Sequence, residues 1–555
     1  MRIEQTAPAS EAPVGDVGGG RRRALSTPAM VERRRWWALA VLCLSVIITG
    51  LDNSILNVAL PSLARPTSGG GLGAAEGDLQ WIVDAYTLVF AGLLLWAGSL
   101  GDRFGRYGAL TVGLVVFGLA SVFGTVAGSP GQLIAARAAM GVGGALIMPA
   151  TLSILANVFL DPTERGWAIG IWAASAAVGL GLGPVGGGLL LEHFWWGSVL
   201  LVNVPIVAFA LVAGWLVLPT SKDPTAPRLD PLGAVLSILG FGALLWAVIE
   251  GPSAGWTSAE VLTGFASAVA LLGAFVGWEL RTDHPMLDVR LFRLPRFSVA
   301  SAAITVAFMT LSGMVFLLTQ YLQSVRGYTP LKAGLLTLGF AIGMVVMSPL
   351  SARQAERRGT TTVVAGGLGL VAASMLGVLA LGPTSPPWLP ALIALLVAMG
   401  MGTIMAPATE SIMGALPRSK AGVGSAVNDA TRQIGAAVGV ALFGSLHATR
   451  YRTVVETRLD GHVPADTLQE VTHNVQHALA AGRATPPPQG ARIIDAAADG
   501  FVSGFHLAVG VGALVIALAV AIVVRFLPAR APRPGGDPIA AAGPGSAAPC
   551  PGELS

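Results

Sequence analysis

Apolar runs long enough to cross a bilayer recur along almost the whole chain, separated by short polar or basic connections. They cover 37–61, 81–100, 108–127, 131–157, 166–190, 197–218, 231–250, 259–280, 297–321, 331–350, 361–381, 388–415, 421–446 and 501–526, fourteen in all. A hydrocarbon layer about 30 Å thick takes about 20 helical residues, and lipid offers no partner to an open backbone, so each run predicts a membrane-spanning helix. An even count places both termini on one side. The connections after even-numbered spans hold Arg103 and Arg106, Arg165, Lys222 and Arg228, Arg281 to Arg296, Arg353 to Arg358, and Arg418 with Lys420. The short opposite connections hold little beyond Arg65 and Arg326. Basic residues stay on the cytoplasmic side, so the termini are expected there. The stretch 447–500 carries five arginines and is expected as a long external loop, to which that bias does not apply. Within it, Leu468, Val471, Val475 and Leu479 predict one amphipathic helix, ended by Pro486-Pro487-Pro488. Glu470, His473 and His477 share a face of that helix, read as solvated rather than metal-binding.

Composition agrees with this pattern. Hydrophobic residues make up 53% and charged residues 12%, with mean hydropathy +0.69. Soluble domains carry about a quarter charged residues. Cys43 and Cys550 lie at opposite ends and predict no disulfide framework. The first run is too long for a signal-peptide core and is expected to remain as a helix. Residues 1–35 and 528–555 read as disordered cytoplasmic tails. The arginines at 21–23 and 33–35 set topology rather than bind nucleic acid, because the run abuts a span.

An internal repeat divides the rest. Gly101-Asp102-Arg103-Phe104-Gly105 follows the second span, and Ala355-Glu356-Arg357-Arg358-Gly359 follows the tenth. Both set an acid and arginine before a glycine at the same end of a helix. This predicts a first bundle over 36–218, two inserted helices with their linkers over 219–296, and a second bundle over 297–527 that includes the loop 447–500. Parallel halves of six helices are a transporter plan with the substrate site at their interface.

Charge inside the spans is the sharpest chemical signal, since it is costly in lipid and usually functional. By helical rise, Asp52 lies roughly 8 Å from the outer edge, Arg137 about 9 Å deep and Asp84 about 5 Å deep. At similar depth the three are expected to form one network, with Asp52 held ionised by Arg137 and released on protonation. A proton and a cationic drug would then compete for one carboxylate. The bland alternatives are a structural ion pair for Arg137 and an interfacial carboxylate for Asp84. From the other edge, Glu410 lies about 8 Å and Asp429 about 12 Å deep. Arg432 stands at i,i+3 from Asp429 and neutralises it on the simpler reading. Glu410 has no such local partner and is the second candidate for a cation or proton.

Two further stretches carry a mechanical pattern. Gly170, Gly179, Gly181, Gly183, Gly186, Gly187 and Gly188, with Pro184 among them, give one span a smooth face and a kink site. Gly98-Ser99-Leu100-Gly101-Asp102-Arg103-Phe104-Gly105-Arg106 offers a tight turn, an acid to meet a helix N-terminus, and basic residues to hold one face.

Gly170, Gly179, Gly183-Pro184 and Gly187-Gly188 resemble the fifth-helix antiporter motif of the major facilitator superfamily. Gly98 to Arg106 resembles that family's loop signature, with Tyr107 where a basic residue is usual. Leu51-Asp52 with Ile55 and Asn57 to Pro61, Trp81 to Tyr86, Leu133 through Arg137 to Gly144, Phe316 to Gly334, and Ala421 to Gly435 resemble the fourteen-helix drug:proton antiporters. Their first-helix Thr is absent, but Ser54 keeps a hydroxyl. Trp195-Trp196-Gly197-Ser198, Asn203-Val204-Pro205 and the insert before the last span are most similar to exporters of quaternary ammonium compounds and dyes. The resemblance implies an all-α polytopic membrane protein with the major facilitator fold, working as a proton-coupled antiporter of hydrophobic, mostly cationic drugs. It implies a monomer in a bacterial plasma membrane, with protons, small hydrophobic substrates and lipid as partners. The second reading is a dedicated exporter of an endogenous antibiotic or other secondary metabolite. No cofactor, metal or enzymatic activity is expected. The only lysines are Lys222, Lys332 and Lys420, none after a glycine, so no P-loop exists and an ion gradient must drive transport. A non-transporting sensor on this scaffold is disfavoured by the glycine motif and the intramembrane acids.

Overall fold

A computed structural model describes residues 28–63, 71–74, 76–220, 230–283, 285–416, 420–473 and 475–528. The arginines at 21–23, Arg65, Lys222, Arg228, Arg418, the side chain of His473 and the outer parts of both tails lie outside the described residues.

The helices are α1 (Pro28–Leu63), α2 (Glu76–Phe104), α3 (Arg106–Thr125), α4 (Pro130–Val158), α5 (Pro162–His193) and α6 (Ser198–Val217). Then come α7 (Pro231–Ala254), α8 (Ala259–Glu279), α9 (Pro295–Val325), α10 (Lys332–Arg358), α11 (Thr360–Ala380), α12 (Trp388–Met413) and α13 (Ala421–Leu459). Two short helices, α14 (Ala465–His473) and α15 (Val475–Ala484), precede α16 (Gln489–Phe526). Local chemistry starts several of them. Asp161 and Asp230 accept the backbone N–H groups of Glu164 (3.0 Å) and Gly233 (2.8 Å), each with proline opening the helix behind the cap.

Among the described residues, thirteen helices are long and apolar enough to cross a membrane. α13 is not one of them, since it buries Asn428, Asp429 and Arg432 along its first turns. It nevertheless packs between α9 and α16, with α2 and α4 on its other side, as a fourteenth bundle helix would. The polar residues that spoil its hydropathy are those it turns to other protein.

The internal repeat is visible in the backbone. Gly105 between α2 and α3 has φ 112°, and Gly359 between α10 and α11 has φ 87°. Both connections turn through a conformation that a side chain would strain, which is why each repeat ends in glycine.

The two bundles meet along reciprocal seams. α2 packs on α13, and α5 packs on α10 and α12. The second helix of each half thus meets the fifth helix of the other, as a pseudo-twofold axis requires. The inserted pair α7–α8 leans on one seam, with α7 touching both α2 and α13. We call the side on which α1 begins the near face and the opposite side the far face.

The stretch 447–500 is not a loop. α13 and α16 continue past the expected ends of their spans, and α14 and α15 pack between them. Val471 and Val475 are buried there, and the Tyr451 hydroxyl donates to the Val471 carbonyl at 3.0 Å. The expected helical stretch is described as α14 and α15 on either side of residue 474, which lies outside the described residues. Its apolar stripe was read correctly; what the stripe packs against was supplied by helix extensions that carry no spanning signal.

Candidate functional site

Asp52 and Arg137 form a buried ion pair, 0% and 1% exposed. The Arg137 Nη1 group donates to Asp52 Oδ2, and its Nε donates to the Ile82 carbonyl at 3.1 Å. The guanidinium lies 4.6 Å from the centre of the Tyr86 ring. Small residues make this reach feasible: a Cβ at Gly141 would stand 2.7 Å from the Tyr86 carbonyl, so α4 and α2 touch by backbone one turn beyond the arginine. The other carboxylate oxygen, Asp52 Oδ1, accepts from Asn203 Nδ2 at 3.0 Å, and Asn203 also donates to Ser121 Oγ at 3.4 Å. Asn203 was noted in the sequence only for the motif it sits in; its isolation in a span was the available signal.

Asp84 does not share this cluster. Ile82 and Tyr86 are one turn apart and face α4, whereas residue 84 is turned by about 200° from residue 82. It lines a recess with Trp81, Leu88, Trp246, Ile249 and Glu250, between α2 and α7. Equal depth had suggested one network, but depth ignores rotation about the helix. Asp52 is fully buried, so its carboxylate presents no surface to a drug in this state.

Glu410 has a partner that the local sequence hides. Arg165, at the start of α5, donates from Nε to both carboxylate oxygens at 3.1 and 3.0 Å and from Nη2 at 2.5 Å. The pair is 245 positions apart in sequence and fastens α5 to α12 across the bundle boundary. It lies at the near face, where Arg353 of α10 also stacks 4.8 Å over the Trp167 ring of α5.

The loop motif fastens the other seam at the same face. Asp102 Oδ1 and Oδ2 accept the backbone N–H groups of Gly422 (3.0 Å) and Val423 (3.2 Å) at the start of α13. Arg106 holds the same carboxylate, with Nη2 at 2.7 Å. Both side chains are almost wholly buried. The expected meeting of Asp102 with a helix N-terminus is therefore observed. Gly98 allows it, since a Cβ there would stand 2.6 Å from the Gly422 carbonyl. Gly101 faces Ala109, and Arg103 stays beside the Phe104 ring on the surface.

Asp429 and Arg432 lie at the bundle boundary, 3.7 Å apart. Arg432 stacks over Trp172 of α5 at 5.0 Å and Phe308 of α9 at 5.6 Å, and donates to Thr409 of α12 at 3.3 Å. Thr409 in turn donates to Asn428 at 3.1 Å. Asp429 Oδ2 and Arg432 Nε are buried and make no hydrogen bond to a described residue. The expected i,i+3 pairing is present, but it is long and leaves polar atoms of both partners open.

The glycine helix α5 runs unbroken from Pro162 to His193, through position 184. Its glycines divide by face. Gly179, Gly183 and Gly187 touch α1, where an added Cβ would meet Ile47 O at 2.5 Å, Ser54 Oγ at 1.8 Å and Ile55 Cγ1 at 2.9 Å. Gly170 touches Pro349 and Ser348 of α10, while Gly186 and Gly188 meet nothing within 4 Å.

A first prediction concerns the near face. Glu410→Gln removes the charge and one of the two acceptor oxygens that Arg165 grips, and loss of about 1 kcal/mol is about a fivefold shift in opening. A cysteine at Ala352, which is buried beside Gly166, is expected to react about fivefold faster with an impermeant maleimide in that background. Equal rates would show that the pair does not fasten the face.

Helices paired across two reciprocal seams, with an ion pair sealed inside one half, define a membrane transporter. The chain belongs to the major facilitator superfamily, whose family model matches residues 42–440. It is similar to the multidrug efflux pump LfrA of Mycolicibacterium smegmatis, 36% identical over 88% of this chain and 96% of that protein. It is also similar to the methyl viologen resistance protein SmvA of Salmonella typhimurium, 32% identical over 88% and 97%. The tetracenomycin C resistance and export protein of Streptomyces glaucescens is 31% identical over 90% and 93%. The human organic anion transporter MFSD10 shares the fold, with TM-score 0.59 and 16% identity over 89% of this chain and 99% of that one.

Proposed function

We propose that this protein is a proton-coupled antiporter that exports hydrophobic, mostly cationic drugs from the cytoplasm across a bacterial plasma membrane. The observation that carries the proposal is the Asp52–Arg137 pair, sealed among five helices of a transporter fold and tied to Asn203. The names of its efflux-pump relatives support the substrate class. The basic residues at the near face support a cytoplasmic assignment for that face and for both termini. The two seams support a division into bundles at 36–218 and 297–527, with 219–296 as the insert.

In this mechanism a proton taken up by Asp52 cancels its charge, and Arg137 keeps Ile82 and Tyr86 as partners. Helix α1 then loses one tie to α4. Because Leu51 and Ser54 lie against Gly179 and Gly183, a shift of α1 passes to α5 and from there to the α5–α10 seam. Asp429, buried at the boundary with one oxygen unsatisfied, is the carboxylate that would meet a cationic substrate once the bundles part. Glu410 and Asp102 act as near-face fasteners, with Gly98, Gly101, Gly105, Arg103 and Arg106 shaping the second of them. Asp84 lines a separate recess between α2 and α7.

Reconstituted protein is expected to drive ethidium movement when an inward proton gradient is imposed, and to acidify the lumen as ethidium leaves. Ethidium flux indifferent to the gradient would overturn the coupling. Similarity to the tetracenomycin C resistance and export protein favours one alternative, a pump dedicated to an endogenous antibiotic. A survival panel in a pump-deficient host separates the two, since a dedicated pump protects against one chemical family only.

A further inference from the structure

We propose that Arg296 is the stand-by partner of Glu410: when the near face opens and Arg165 departs, the carboxylate passes to Arg296. This rests on the rocking of two bundles proposed above. Arg165 grips both oxygens of Glu410, and the two side chains are 13% and 18% exposed. One partner stands on α5 of the first bundle and the other on α12 of the second, so the pair cannot survive their separation. A charge left alone with so little water around it is costly.

Each partner has a substitute on its own side. Arg296 stands in the first turn of α9, behind Pro295, and α9 packs on α12. Its guanidinium lies against the end of α12, where a Cβ added to Gly414 would stand 3.2 Å from Nη2. Gly414 is one turn past Glu410, and its N–H donates to the Glu410 carbonyl at 2.8 Å. The closing carbonyls of α12 favour a cation there, and the missing side chain of Gly414 leaves it room. Glu410 attracts Arg296, and Arg165 repels it. Among the described residues Arg296 forms no ion pair of its own. Its neighbours Arg290 and Arg293 are exposed, whereas Arg296 is half-buried, so it is more than another basic residue of that face. On the other side Asp161, four residues before Arg165, attracts that arginine from its own bundle.

The charges set the order of events. With the near face closed, two guanidiniums lie in the field of one carboxylate, and Arg165 holds it by a two-pronged grip. When α5 withdraws, Arg296 loses a like charge and keeps an opposite one, so its pull on Glu410 grows as the grip is lost. Arg165 then turns to Asp161. The exchange is unequal, because the closed pair is shielded and its replacement forms on a face open to water. The closed pairing therefore still wins, and Glu410→Gln still loosens the face.

Full-length Ala352→Cys protein in nanodiscs tests the exchange, with an impermeant maleimide reporting near-face opening. Arg296→Gln is expected to slow labelling about threefold, and Arg296→Lys to restore most of the rate because it keeps the charge. Asp161→Asn preserves the helix cap and is expected to slow labelling about twofold. Unfolding would speed labelling, so a slower rate cannot come from a misfolded variant. In the Glu410→Gln background Arg296→Gln is expected to change nothing, since no carboxylate remains to be passed on. An equal slowing there would show that Arg296 acts only by repelling Arg165, and would overturn the exchange. A rate that responds to Glu410→Gln but not to Arg296→Gln overturns the exchange while leaving the rocking intact. An unchanged rate in Asp161→Asn removes Asp161 from it. No labelling in any background overturns the rocking itself.

Discussion

Proton-driven efflux by the Asp52→Asn variant is expected to fall to the level of vesicles that lack the protein. An amide holds the shape of the carboxylate but cannot gain or lose a proton, so the step that couples ionisation to α1 is removed. The same change leaves the buried Arg137 guanidinium without a counter-charge, beside the new amide, the Ile82 carbonyl, the Tyr86 ring and the Met140 sulfur. Breaking a buried pair from one side costs about 3–5 kcal/mol, so the single variant is also expected to melt at a lower temperature. The double variant Asp52→Asn/Arg137→Gln removes both charges and is expected to regain stability without regaining efflux. Melting of the purified protein beside ethidium flux in vesicles separates the two effects. Wild-type flux in a well-folded Asp52→Asn protein would remove Asp52 from the coupling step.

The second large effect is expected from Gly179→Val. A Cβ at this position stands 2.5 Å from the Ile47 carbonyl and 2.9 Å from the Leu51 amide, both backbone. No rotamer change clears backbone atoms, so α1 and α5 must part. Overpacking of this kind costs about 1–3 kcal/mol or more, and in lipid no water-driven collapse restores the contact. Efflux is expected to drop at least about tenfold, with lower accumulation in the membrane. Gly188→Val belongs to the same motif, but its Cβ meets nothing within 4 Å, so near-normal efflux is expected. Equal damage from both variants would mean that the motif acts through backbone freedom rather than through close approach.

The span pattern, the repeat and the glycine motif were readable from the sequence because each is a property of one helix or one turn. Gly105 and Gly359 show this most directly, since residue type and backbone angle agree at both ends of the repeat. What the sequence left unread depends on rotation and on distant partners. Asp84 was assigned by depth alone, and the turn of α2 sends it away from Arg137. Glu410 looked solitary because Arg165 lies on another bundle. α13 was read as a span from the apolar run over 421–446, although its polar residues keep it below the hydropathy of the other thirteen. The far-face helical stripe was legible from Leu468, Val471, Val475 and Leu479, but its covering was not, because the helices that pack on it are extensions of spans.

Those extensions have a practical consequence. Tyr451 on α13 reaches α14, Arg458 of α13 bonds Asp499 of α16, and Gln476 of α15 bonds Ser324 of α9 at 2.5 Å. Anchored in this way to the second half, the outcrop rides that lobe like a mast on a hull. A fluorophore mounted on it would sweep a wider arc than any marker at bilayer level, turning a small tilt of the lobe into a readable change of distance.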